Sequence, residues 1–73
     1  MKTVWIVNTR NDFYSENSIY IYANRDEAMN FFKEIIEDKK DERDFSYEDG
    51  DTEATWEYCG YYCSTCIWEE EVR

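Results

Sequence analysis

Asn24–Glu42 reads NRDEAMNFFKEIIEDKKDE, and this stretch decides the fold. Ala28, Phe31, Phe32, Ile35 and Ile36 recur at i, i+3, i+4, i+7 and i+8, the spacing that gathers apolar side chains into one stripe of a helix. Met29 borders the stripe. Asn24 is a good N-cap, and Glu27 three residues later gives the pattern of a capping box. Asp26 and Glu27 suit the positive end of the helix dipole, while Lys39, Lys40 and Arg43 suit the negative end. The pattern predicts one helix from Asn24 to about Glu42, its stripe buried against a sheet.

That sheet is written on both sides of the helix. Thr3–Thr9, with Val4, Trp5, Ile6 and Val7 at its centre, and Ser18–Ala23, with Ile19, Tyr20, Ile21 and Tyr22, are β-branched and aromatic runs that fit a pleated surface. Between them Asn11, Asp12, Ser15 and Asn17 supply turn chemistry, which predicts an antiparallel hairpin. Alternation divides the hairpin into an aliphatic set (Val4, Ile6, Ile19, Ile21) and a set rich in aromatics (Trp5, Val7, Tyr20, Tyr22). The expectation is that the helix covers the aliphatic set, leaving the aromatic face in need of a cover of its own. Downstream, Asp49-Gly50 marks a turn, and Phe45 and Tyr47 open a short strand before it. Ala54–Val72 returns to strand character, with Gly60 at a bulge, bend or turn. The fold class is therefore α+β: an antiparallel β-sheet of three to five strands with one α-helix packed on one face, in β-β-α-β-β order, residues 1–73 forming a single domain.

A chain of 73 residues buries only about 60% of the surface its unfolded form exposes. The 3 Trp, 7 Tyr and 4 Phe offset this, because a few large rings replace many small side chains. No apolar run is long enough to cross a membrane, and Val4–Val7 is too short for a secretory leader, so the expectation is a cytoplasmic protein.

The chemistry of catalysis is thin. There is no His, hence neither the usual general base nor the commonest metal ligand near neutral pH. Gly50 and Gly60 cannot make a phosphate-cradling loop by themselves. Cys59, Cys63 and Cys66 form C-x3-C-x2-C, with three readings: small hydrophobes in a reducing compartment, part of a zinc site that lacks its fourth ligand, or a redox pair. The expectation is free thiols, no metal and no cofactor. Asp49–Glu53 has the acids and Gly of a calcium loop, but the residue six after Gly50 is Trp56 instead of the required Glu. An enzyme is not expected.

Charge carries the functional signal. With 18 acidic and 8 basic residues, the net charge is -10, beyond the roughly 2–8 units that solubility asks of a small domain. Such a field repels nucleic acid and anionic membranes and attracts basic surfaces. Eleven acids fall between Glu34 and Glu57, and no basic residue lies between Asp44 and Glu57. Asp44, Glu48, Asp49, Asp51, Glu53 and Glu57 are the candidate partner-binding residues, with Tyr47 and Trp56 as apolar anchors at the same surface. Carboxylates in such an array imitate phosphates, and an Arg fork takes either.

The whole chain resembles the small acidic proteins of bacteriophages and mobile elements, anti-CRISPR and other anti-defence proteins among them. The opening VWIVNTRND (Val4–Asp12), the single helix RDEAMNFFKEIIEDKK (Arg25–Lys40), the acidic middle and the aromatic C-terminal strand carry the likeness. The resemblance implies a non-enzymatic inhibitor in a host bacterial cell. Its partner would be a basic nucleic-acid-binding protein such as a CRISPR effector nuclease, whose Arg residues read DNA. The alternative is a homodimeric structural or assembly protein that uses the aromatic sheet face as its interface.

Overall fold

The computed structural model describes residues 2–72. Strand β1 (Lys2–Asn11) turns through Asp12–Ser15 into β2 (Glu16–Tyr22), helix α1 (Arg25–Lys39) follows, and β3 (Arg43–Ser46), β4 (Glu53–Tyr58) and β5 (Tyr61–Val72) complete the chain. The strands form one antiparallel sheet in the order β2-β1-β5-β4-β3. The order along the chain is thus ββαβββ: five strands, within the expected three to five, with three instead of two after the helix. After the first hairpin, α1 carries the chain across one face of the sheet to its far edge. The last three strands then meander back until β5 lies beside β1. The two longest strands are the central ones, in register from Lys2↔Val72 to Asn11↔Cys63.

Local chemistry sets the element ends. Asn24 caps α1, its Oδ1 accepting from the backbone N–H of Asp26 at 2.7 Å and of Glu27 at 3.4 Å. The helix stops at Lys39, three residues before the predicted end, where the Glu42 N–H returns to the Lys39 carbonyl at 2.9 Å. Asn11 organises the first hairpin by accepting from the N–H groups of Phe13 and Tyr14. Gly60 proves to be the second residue of a two-residue hairpin turn between β4 and β5. Cys59 and Gly60 both hold positive φ, 52° and 82°, as a type I′ turn requires. Asp44, at φ 56°, sits where the β3–β4 register shifts by one residue, a β-bulge.

The helix covers the opposite face of the hairpin from the one expected. Val7 is buried beside Ala28, Phe32 and Ile67, with Trp5, Tyr22 and Phe31 packed against them. Tyr20 meets Phe31 edge-on at 4.7 Å. The aromatic set is therefore under α1, and the aliphatic set Val4, Ile6, Ile19 and Ile21 faces the other way. The neighbouring strands decide it, because β4 turns Ala54 and Trp56 to the helix side and Glu53 and Glu57 to the other. Beneath the helix the sheet presents small side chains, Val7, Ala54, Cys63 and Thr65, all at 0% exposure. These let Ala28 and Phe32 approach closely, while the larger rings of Trp5, Tyr20, Tyr22, Phe45 and Tyr47 pack at the flanks. The buried Thr65 hydroxyl is satisfied by Thr9 across the strand pair at 3.2 Å.

Candidate functional site

The acidic segment forms one lateral edge of the molecule: β3, the turn after it, and β4. Alternation along β4 sends Ala54, Trp56 and Tyr58 under the helix and Glu53, Thr55 and Glu57 to the open face. At the turn, Glu48 N–H donates to the Asp51 carboxylate at 2.9 Å and Asp51 N–H to the Glu48 carbonyl at 2.9 Å, while Gly50 takes φ 96°. Two shallow concavities follow along the edge, each of about 310 Å³. One is bounded by Asp44 and Glu57, the other by Asp51 and Glu53, with Thr55 shared between them. Asp44, Asp51, Glu53 and Glu57 are thus brought together along one side.

Asp49 belongs elsewhere. With Asp51 it overhangs a cleft of about 320 Å³ on the helix side, floored by Trp5, Met29 and Ile67 and walled by Arg25 and Lys33. The Arg25 guanidinium lies 5.6 Å from the Trp5 ring centroid, within cation–π range. Among the described residues the ion pairs use Asp12, Asp26, Glu37 and Asp38, and no carboxylate between Asp44 and Glu57 has a cation within 4.0 Å. Arg43 stands across the ladder from Glu57 without closing a pair.

Of the two expected anchors, Trp56 is buried and Tyr47 lines the helix-side cleft with Asp49 and Asp51. Trp56 is 3% exposed in the cluster with Ala54 and Cys63. Tyr47 is half-buried, its ring edge-on to Phe32 at 5.9 Å. The strict alternation of Glu53, Thr55 and Glu57 with Ala54, Trp56 and Tyr58 is the sequence signal that places Trp56 inside. Tyr62, 52% exposed across the ladder from Glu57, is the exposed ring at the Asp44–Glu57 concavity, and a cluster of rings lies at the first hairpin turn and the Cys59-Gly60 turn. There Phe13 packs edge-on against Tyr14, Tyr58 and Tyr61 at 4.8–5.5 Å. The Tyr14 and Tyr58 hydroxyls lie 3.5 Å apart, and this hydrogen bond pushes the Tyr58 phenol up to about 12.

The cysteines do not converge. Strand residues three apart point to opposite faces, so Cys63 is buried beneath the helix while Cys66 lies on the open face. One chain cannot bring both thiols to one metal or into one disulfide without breaking the strand. Burial pushes the Cys63 thiol up, and burial together with the Glu53 carboxylate pushes up Cys66. Both are held in the less nucleophilic protonated form. No helix among the described residues is long and apolar enough to cross a membrane. No protein-family model, no curated protein and no solved structure matches this chain.

Proposed function

We propose that the chain is a non-enzymatic acidic binding protein, a phage-type inhibitor of the anti-CRISPR kind acting in the host cytoplasm, that occupies a basic nucleic-acid-binding groove of a defence nuclease. One observation carries this reading. Asp44, Asp51, Glu53 and Glu57 line a single edge, and none has a cation within 4.0 Å among the described residues. Carboxylates left without an internal cation remain available to a partner's Arg residues, which bind carboxylate and phosphate with the same fork.

Competition tests it. Purified CRISPR effector nucleases, guide-loaded, are presented with the protein before and after addition of target DNA. Groove occupancy requires binding to the free effector and none to the effector already holding DNA. Equal binding to both forms eliminates the groove and leaves contact at an outer surface. A homodimeric role is favoured by a separate observation, the uncovered aliphatic face of the sheet.

A further inference from the structure

The face of the sheet turned away from α1 is bare. On β2 it presents Ile19 and Ile21, 60% and 65% exposed, on β1 Val4 and Ile6, and on β5 Trp68 and Val72, 37% and 44% exposed. Register makes them contiguous: Ile21, Ile6 and Trp68 form one row across three strands, and Val4 flanks Ile6. An antiparallel sheet with one solvated face normally alternates apolar inside with polar outside. Here the part of the open face formed by β2, β1 and the end of β5 is apolar as well, and a contiguous exposed apolar patch marks a contact surface.

We infer that this face is the interface of a homodimer, two copies packing sheet against sheet through Ile19, Ile21, Val4, Ile6 and Trp68. Charge selects the occupant. On β2, β1 and β5 the open face carries Lys2, Arg10 and Glu70 as its charged residues, in a chain of net charge -10. Two such chains repel everywhere except where the excess acid is missing, and this patch is where it is missing. A basic partner finds its complement at the β3–β4 edge instead, and an anionic lipid surface is repelled by the chain as a whole. The same face carries Glu53 and Glu57 on β4, so the contact is confined to β2, β1 and the C-terminal part of β5. Stacked sheets pack about 10 Å apart with interdigitated aliphatic side chains, which suits rows of Ile and Val. The interface does not depend on the acidic-edge reading.

Sedimentation velocity on the full chain decides it. The expected mass is twice 9.0 kDa, and dimerisation strengthens as salt rises, because screening removes repulsion between like-charged copies. The double variant Ile19→Lys/Ile21→Lys raises the dissociation constant on the order of a hundredfold or more while leaving the far-UV circular dichroism unchanged. Ile19→Thr/Ile21→Thr, which keeps β-branching, gives the same direction if the lysines disturb folding. Trp68→Thr separates two modes of self-association, since Trp68 lies two strands from the free edge of β2. Weakening in this variant supports face packing. A dimer of undiminished strength overturns it in favour of pairing through the β2 edge. A wild-type chain that stays at 9.0 kDa across the whole concentration range overturns the inference outright. Asp44→Asn/Asp51→Asn/Glu53→Gln leaves the dimer intact, so loss of nuclease binding in that variant is distinguishable from loss of the dimer.

Discussion

Phe32 is the largest fully buried side chain, at 0% exposure, in contact with Val7, Ala28 and Ile67 and edge-on to Tyr47. Its place was legible, because a helical stripe has one centre and Phe32 occupies it. Phe32→Ala is expected to cost about 3–5 kcal/mol, most of the stability a domain this small possesses. Urea denaturation measures the loss, and a near-wild-type midpoint would remove Phe32 from the core. The thiols make a second prediction at this scale. A disulfide-exchange reagent at mildly alkaline pH should modify the exposed Cys59 first and Cys66 more slowly, and reach buried Cys63 only as the protein unfolds. Three thiols reacting at one rate would contradict the burial of Cys63. Metal analysis is expected to find no zinc per chain or per pair of chains.

Individual elements were easier to read than their relations. The helix, the first hairpin and the strand character after Ala54 all follow from local pattern, since 3.6-residue and two-residue periods are properties of the chain itself. Which face of the hairpin meets the helix is not such a property. Both parities are apolar, so alternation gave no contrast. The choice was made by β4 and β5, which offer Ala54, Trp56, Cys63 and Ile67 to the helix side and Glu53, Thr55, Glu57 and Ser64 to the other. The Cys59-Gly60 turn was legible only in part, because Gly60 marked a break but Cys59 is not a residue that favours positive φ. That mismatch is testable. Cys59→Asn should stabilise the β4–β5 hairpin, because Asn tolerates the left-handed region better, and Cys59→Val should destabilise it by about 1 kcal/mol. Thermal melts with the order Asn above Cys above Val are expected; the reverse order would mean that the turn does not hold the φ values of a type I′ hairpin.

At the scale of the molecule, the fold segregates charge. The acids that sequence alone gathered into one segment are divided by the alternation of β4 and by the turn at Gly50. Asp44, Asp51, Glu53 and Glu57 go to one edge, and Asp49 goes to a cleft facing Arg25 and Lys33. Trp56, counted with them in sequence, is withdrawn into the interior and Tyr47 lies half-buried at the helix-side cleft with Asp49 and Asp51, so the exposed ring at the Asp44–Glu57 concavity is Tyr62. A contact made by these carboxylates is sensitive to ionic strength. The Debye length falls from about 10 Å at 0.1 M salt to about 3 Å at 1 M, so affinity for a basic groove should drop steadily across that range, while self-association through the open face moves in the opposite direction. Neutralising Asp44, Asp51, Glu53 and Glu57 to their amides should weaken inhibition far more than the same treatment of Asp12 and Glu16. Asp12 is already paired with Arg10 at 2.8 Å, and both lie in the first hairpin. The amide at position 51 keeps an oxygen for the Glu48 N–H, so the turn geometry survives and the comparison isolates charge. Single changes should act mainly on association rate, as rim charges do, and the combined variant on both rate and affinity. Titration of each variant into the same nuclease at two salt concentrations provides the measurement. Equal effects from the two sets of substitutions, or affinity independent of salt, would mean that the acidic edge keeps the protein soluble and that its partner binds elsewhere.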